Sequence, residues 1–128
     1  MSRRGISVAF DDQCRFARLP IPVAEYQFAK ALTPDQLEAI GQVKPRKWAI
    51  DWAFPFHQLA LEVEGGYAVG GRHTSVSGFL KDQEKYNALA LLGWRLLRVT
   101  PRDVKSGAAL ALVQRVFAVS VPSDGGKA

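Results

Sequence analysis

Two short stretches near the middle of the chain alternate strictly between apolar and small or acidic positions. In Trp48–Phe54, the residues Trp48, Ile50, Trp52 and Phe54 fall on one side and Ala49, Asp51 and Ala53 on the other. In Leu59–Glu64, Leu59, Leu61 and Val63 oppose Ala60, Glu62 and Glu64. Period two predicts strands, and Pro55-Phe56-His57-Gln58 between them is short enough for a hairpin. If Pro55 faces Gln58, Phe54 lies opposite Leu59 and Asp51 opposite Glu62. Cross-strand Cβ atoms sit about 5 Å apart, a poor place for two unpaired negative charges. A divalent cation would remove that repulsion.

The pattern elsewhere predicts mostly helices. Residues 1–20 read as an arm or a loosely packed leader, and Val23–Phe28 as a weakly alternating edge strand. Thr33 as N-cap, Pro34 at the first helical position and Gln36 at the capping-box position start a helix over Pro34–Ile40, which Gly41 stops. A glycine-rich loop, residues 65–78, follows the hairpin. It has neither the G-x-x-x-x-G-K-[ST] nor the G-x-G-x-x-G spacing that cradles nucleotide phosphates. Phe79–Leu92 reads as a helix ended by Gly93, and Trp94–Thr100 as a strand. Thr100-Pro101-Arg102-Asp103 opens a helical turn, and Ser106 caps a last helix, Gly107–Val119, with Leu110, Val113 and Phe117 on one face. The order gives an α/β fold, a small mixed sheet flanked by helices. The run from Leu59 through the helix to Thr100 is a β-α-β unit, so its two strands should be parallel neighbours. One domain over residues 1–121, with its core in about 22–119, and a flexible tail over 122–128 are expected.

Composition changes this picture modestly. At 48% hydrophobic and 23% charged, the 128 residues are those of a soluble globular protein with no membrane-spanning run. Asp11 and Asp12 cut the early apolar stretch too short for a secretory signal, so a cytoplasmic location is expected. Cys14 is the single cysteine, which removes internal disulfides and cysteine-based zinc sites. A net charge of +5 and a pI near 9.7 suit an acidic partner, most commonly nucleic acid. Lys44, Arg46 and Lys47 precede the acidic strands, and Arg72, Lys81 and Lys85 follow them.

Basic charge around a small acidic centre suits metal-dependent work on polyphosphate. Hydrolysing a phosphodiester needs an activated water and charge offset at phosphorus, which Mg²⁺ on one or two carboxylates supplies. Asp51 and Glu62 fit as ligands, the Val63 carbonyl as a third, and Glu64 as an assistant that binds a second metal or orients water. Lys85, on one helix stripe with Asp82 and Leu89, could reach the site; a surface ion pair with Asp82 is the plainer alternative. His73 could act as general acid or base or contact phosphate, against the plainer reading of a solvated loop histidine. Arg46, Lys47, Arg72 and Arg98 are candidates for phosphate contact.

Asp51, a short hairpin, and Glu62-Val63-Glu64 resemble the P-D-(D/E)-x-K nuclease superfamily. The stretch from Arg46 to Thr100 resembles its very-short-patch-repair-type endonucleases and related small, often phage-encoded, endonuclease-like proteins. The likeness is carried by Arg46–Pro55, Leu61–Gly66, Gly71-Arg72-His73-Thr74, Asp82–Asn87 and Gly93–Thr100. It implies a restriction-endonuclease-like core, Mg²⁺ or Mn²⁺ dependence, and cleavage of DNA, branched or mismatched DNA included, in repair or recombination. It also implies that Asp51 and Glu62 are metal ligands and that His73 lies in the appropriate loop. Superfamily members often add an acid from an N-terminal element, for which Glu25 in its strand-like stretch is favoured over Glu38 in the short helix. The motif's proline is replaced by Ile50 and its lysine by Glu64, with Lys85 as the candidate replacement. A homodimer would suit junction cutting. The alternatives are a non-catalytic nucleic-acid-binding module on the same fold, and an enzyme acting on RNA.

Overall fold

The computed structural model describes residues 3–65 and 76–119. Its elements run α1 (Arg3–Phe16), β1 (Val23–Tyr26), α2 (Pro34–Ala39), β2 (Ile50–Phe54), β3 (Leu59–Val63), α3 (Val76–Leu91), β4 (Arg95–Val99), α4 (Pro101–Ser106) and α5 (Ala108–Val119). The fold is α/β, a four-stranded mixed sheet flanked by helices. Among the described residues no helix is long and apolar enough to cross a membrane. The chain divides into two compact units: Pro22–Arg98, and the described residues up to Ile21 together with those from Val99 onward.

The first unit holds the sheet, in the order β1-β2-β3-β4. β2 and β3 form the expected antiparallel hairpin, with Phe54 opposite Leu59 and Trp52 opposite Leu61. A single 3₁₀ turn, Pro55–His57, closes it, and Gln58 leaves the turn in the left-handed region at φ +51°. β1 pairs antiparallel with β2. The mixed character therefore comes from β3 and β4, whose starting ends meet where Arg95 N donates to Gln58 O at 3.0 Å. The parallel β3-α3-β4 crossover follows the sequence expectation. β2 begins at Ile50 rather than Trp48, because the ladder with β1 starts at the Tyr26–Ile50 pair. Trp48 instead stacks on Phe28 at 5.8 Å.

Both faces of the hairpin contribute buried apolar residues, for different reasons. Trp52, Phe54, Leu59 and Leu61 are buried on one. On the other, Ala53 and Ala60 join Ala88 and Leu89 of α3 in one buried cluster. Alanine at those strand positions lets the helix approach the sheet closely, so the space beside the acids is filled by α3. That helix starts at Val76, three residues earlier than the periodicity predicts, and stops where Gly93 takes φ +88°. The capping box on α2 is present as read, with Thr33 Oγ1 accepting from Gln36 N and Gln36 Oε1 from Thr33 N.

In the second unit α1 packs on α4 and α5. Residues 1–20 were expected as an arm or loose leader; instead Arg3–Phe16 is a helix with Phe10 and Cys14 fully buried. Their i, i+4 spacing puts both on one stripe, and Gln13 Nε2 ties the helix to Val104 O at 2.8 Å. Burial pushes the Cys14 thiol up to about 12, with the nearby Asp11 charge adding to it. A thiol held neutral in this way behaves as a small apolar side chain. α4 carries a second capping box, between Thr100 and Asp103. Gly107, at φ +91°, closes α4, and Ser106 Oγ accepts from Ala108 N at the start of α5. Ala109 and Val113 are the buried centre of the α5 face. The tail, 122–128, lies outside the described residues.

Candidate active site

The hairpin register, continued one step past the Trp52–Leu61 pair, sets Asp51 against Glu62. There the two strands are bridged by side chains. Asp51 N donates to Glu62 Oε2 at 3.2 Å, and Val63 N donates to Asp51 Oδ2 at 2.8 Å. Each carboxylate thus satisfies a backbone donor of the opposite strand, which holds both acids at fixed positions. From α3, Lys85 Nζ donates to Glu62 Oε1 at 3.2 Å and to Ala49 O at 3.1 Å. The side chains of Lys85 and Glu62 are only 12% and 8% exposed, so this ion pair is shielded from solvent.

Burial pushes the Glu62 carboxyl above its ordinary 4.5; the Lys85 ammonium opposes the shift, and the Asp51 charge adds to it. A carboxyl whose folded pKa is raised holds its proton longer when folded. Its contribution to stability is therefore complete below the unfolded pKa and declines as pH rises toward the folded value. In metal-free buffer, the stability of the wild type relative to Glu62→Gln should fall as pH rises above about 4.5. Urea denaturation across pH 4–8 checks this, and a wild type that gains stability relative to Glu62→Gln as pH rises would contradict it.

Glu64 lies one strand step further and is also engaged. Its Oε2 accepts from Tyr86 Oη at 3.1 Å and from Arg98 Nε at 2.9 Å, and Arg98 Nη2 completes the ion pair at 2.9 Å. The Arg98 guanidinium lies over the Tyr86 ring at 4.5 Å. Burial, with the charges of Glu62 and Glu64, pushes the Tyr86 hydroxyl well above its ordinary range, so it stays a donor. The hydrogen bond to Glu64 raises Arg98 in turn.

The structure brings Asp51, Glu62, Val63 and Lys85 together, with Glu64 beside them. Arg46 pairs with Glu84 at 3.2 Å and covers the Trp48 ring at 4.5 Å, while Lys47 is exposed. Arg72 and His73 lie outside the described residues. Glu25 falls opposite Asp51 by register, between the Ala24–Trp52 and Tyr26–Ile50 pairs. Its backbone takes φ +51°, however, and the residue is exposed. Among the described residues no three His, Cys, Asp or Glu side chains converge as a metal-binding group. Tyr86 and the Ala49 carbonyl are the components that the sequence pattern did not single out. The signals for Tyr86 in the sequence are its place beside Lys85 and within the Asp82–Asn87 stretch that carries the resemblance.

The donor set nonetheless suits a hard divalent cation. Asp51 and Glu62 bring two carboxylates to one place, and Mg²⁺ sites commonly use one or two carboxylates completed by water and phosphate. No family model, curated protein or solved structure matches this chain.

Proposed function

We propose that this chain is a Mg²⁺- or Mn²⁺-dependent DNA endonuclease with a restriction-endonuclease-like core of the P-D-(D/E)-x-K kind. The observation that carries the reading is the facing pair Asp51–Glu62 with the Lys85 ammonium on Glu62 Oε1. A divalent cation held by Asp51, Glu62 and the Val63 carbonyl would supply a polarised phosphoryl oxygen and an acidified water. The chain's own residues fix the rest. The backbone N–H groups of Asp51 and Val63 orient the two carboxylates, and Lys85 sets the Glu62 charge and offers a donor beside it. Tyr86 and Arg98 hold Glu64 where it can orient water. Lys47 and Arg46, with Arg72, His73 and Arg98, are the candidate phosphate contacts, and duplex DNA, branched or mismatched forms included, is the substrate. A homodimer would serve paired cuts.

The test presents DNA and RNA of one sequence, as duplex and as four-way junction, with Mg²⁺ or with EDTA. Cleavage of DNA in Mg²⁺ alone is expected. Cutting that persists in EDTA, or falls on RNA only, would contradict the reading. One observation favours a second reading, a nucleic-acid-binding module without catalysis. Asp51, Glu62 and Glu64 each already accept a hydrogen bond within the protein. Tight DNA binding with no cleavage in any metal would select it.

A further inference from the structure

Beside the same hairpin, walled on one side by Pro55 and Gln58 of its turn, lies a cleft of about 250 Å³ that the candidate active site does not use. Tyr26, Phe28, Trp94, Gln36, Gln58 and Leu92 line it. Tyr26 ends β1 and Trp94 precedes β4, and their rings lie 6.0 Å apart at an interplanar angle of 34°. Phe28 backs Trp94 at 6.3 Å. Tyr26 and Trp94 are half-buried, so part of each remains open to a ligand.

The two glutamines are held in place. Gln58 Nε2 donates to Leu92 O at 3.3 Å, which leaves its Oε1 as the acceptor end. Gln36 Oε1 accepts from Thr33 N at 2.9 Å, which leaves its Nε2 as the donor end. Aromatic rings beside one amide donor and one amide acceptor match a flat heteroaromatic ring with a hydrogen-bonding edge. The volume is below the roughly 300–1,000 Å³ of pockets for drug-sized ligands, which suits a single ring system. Lys30 and Arg95, both exposed, adjoin lining segments in sequence, and the Arg95 backbone is bonded to Gln58.

We propose that this cleft receives an unpaired nucleobase of the bound nucleic acid. At a strand rise of about 3.3 Å per residue, its Pro55 and Gln58 wall lies about 13 Å along the hairpin from the carboxylate pair, four residues away on each strand. The proposal rests on the nucleic-acid partner named above, and it needs no cleavage step. A substrate with an unpaired or extruded base would thus be held at two places on one hairpin.

The experiment is run in EDTA, so that its result is independent of cutting. Thymidine and deoxyadenosine monophosphates are titrated into the wild-type protein, and the Trp94 indole and the Gln36 and Gln58 side-chain amide resonances are followed. Saturable shifts at all three are expected. Trp94→Leu should weaken binding of an eight-nucleotide single strand about tenfold while leaving a blunt duplex unchanged. If that variant fails to fold, the wild-type titration decides. No shift with either nucleotide overturns the proposal. So do shifts with N-acetyl-tyrosinamide alone, which would assign the cleft to a peptide side chain.

Discussion

Lys85→Met should destabilise the protein by about 3–5 kcal/mol at neutral pH, the usual cost of removing one partner of a buried ion pair. The pair is shielded, and Lys85 is the cation bonded to Glu62 Oε1. Methionine fills much of the same volume, so the loss reports the charge left on Glu62 more than a cavity. Small domains are stable by only about 5–15 kcal/mol, so the effect is large and visible in a urea midpoint. Two further results separate charge from packing. Adding Glu62→Gln to Lys85→Met should restore most of the lost stability. The loss should also shrink on acidification, because protonation removes the charge on Glu62, whose pKa is already raised. A Lys85→Met variant as stable as wild type at pH 7 would mean that the ammonium does not support Glu62.

Asp51→Asn should reduce DNA cleavage about 1,000-fold, since cation stabilisation of the transition state contributes several kcal/mol and each 1.4 kcal/mol is about tenfold in rate. Asparagine keeps an oxygen in the Oδ2 position that accepts from Val63 N at 2.8 Å, so the hairpin should remain closed. It also relieves the repulsion on Glu62. Stability should therefore hold or rise while turnover collapses, and DNA affinity, set by basic residues elsewhere, should change little. A merely structural carboxylate would give the opposite pattern, with stability falling and any activity following it.

The parts of the fold that depend on near neighbours were legible in the sequence. The four-residue link Pro55–Gln58 admits one sensible hairpin register, and the register in turn faces Asp51 with Glu62. Thr33 with Gln36 marks the start of α2 because its capping bonds are three residues apart. α1 was missed for a physical reason. Asp11 and Asp12 interrupt the apolar run, and they lie between Phe10 and Cys14, the buried pair one helical turn apart. The role of the alanines beside the acids was not legible either, since only the packed structure shows Ala53 and Ala60 making room for α3. The identity of Glu64's partners was out of reach too. Tyr86 and Arg98 lie 22 and 34 residues away, and only the packed sheet and helix bring them to one oxygen. Lys85 was found because its helical stripe could be drawn from sequence, although its second bond, to the Ala49 carbonyl, could not.

The most direct test of the account is one cleavage assay, wild type beside Asp51→Asn, on supercoiled plasmid and a synthetic four-way junction with Mg²⁺, Mn²⁺ or EDTA. The account predicts nicked or linear products with wild type in either metal, none in EDTA, and almost none with the variant. Equal cutting by wild type and Asp51→Asn, or no cutting of bound DNA in either metal, would contradict it.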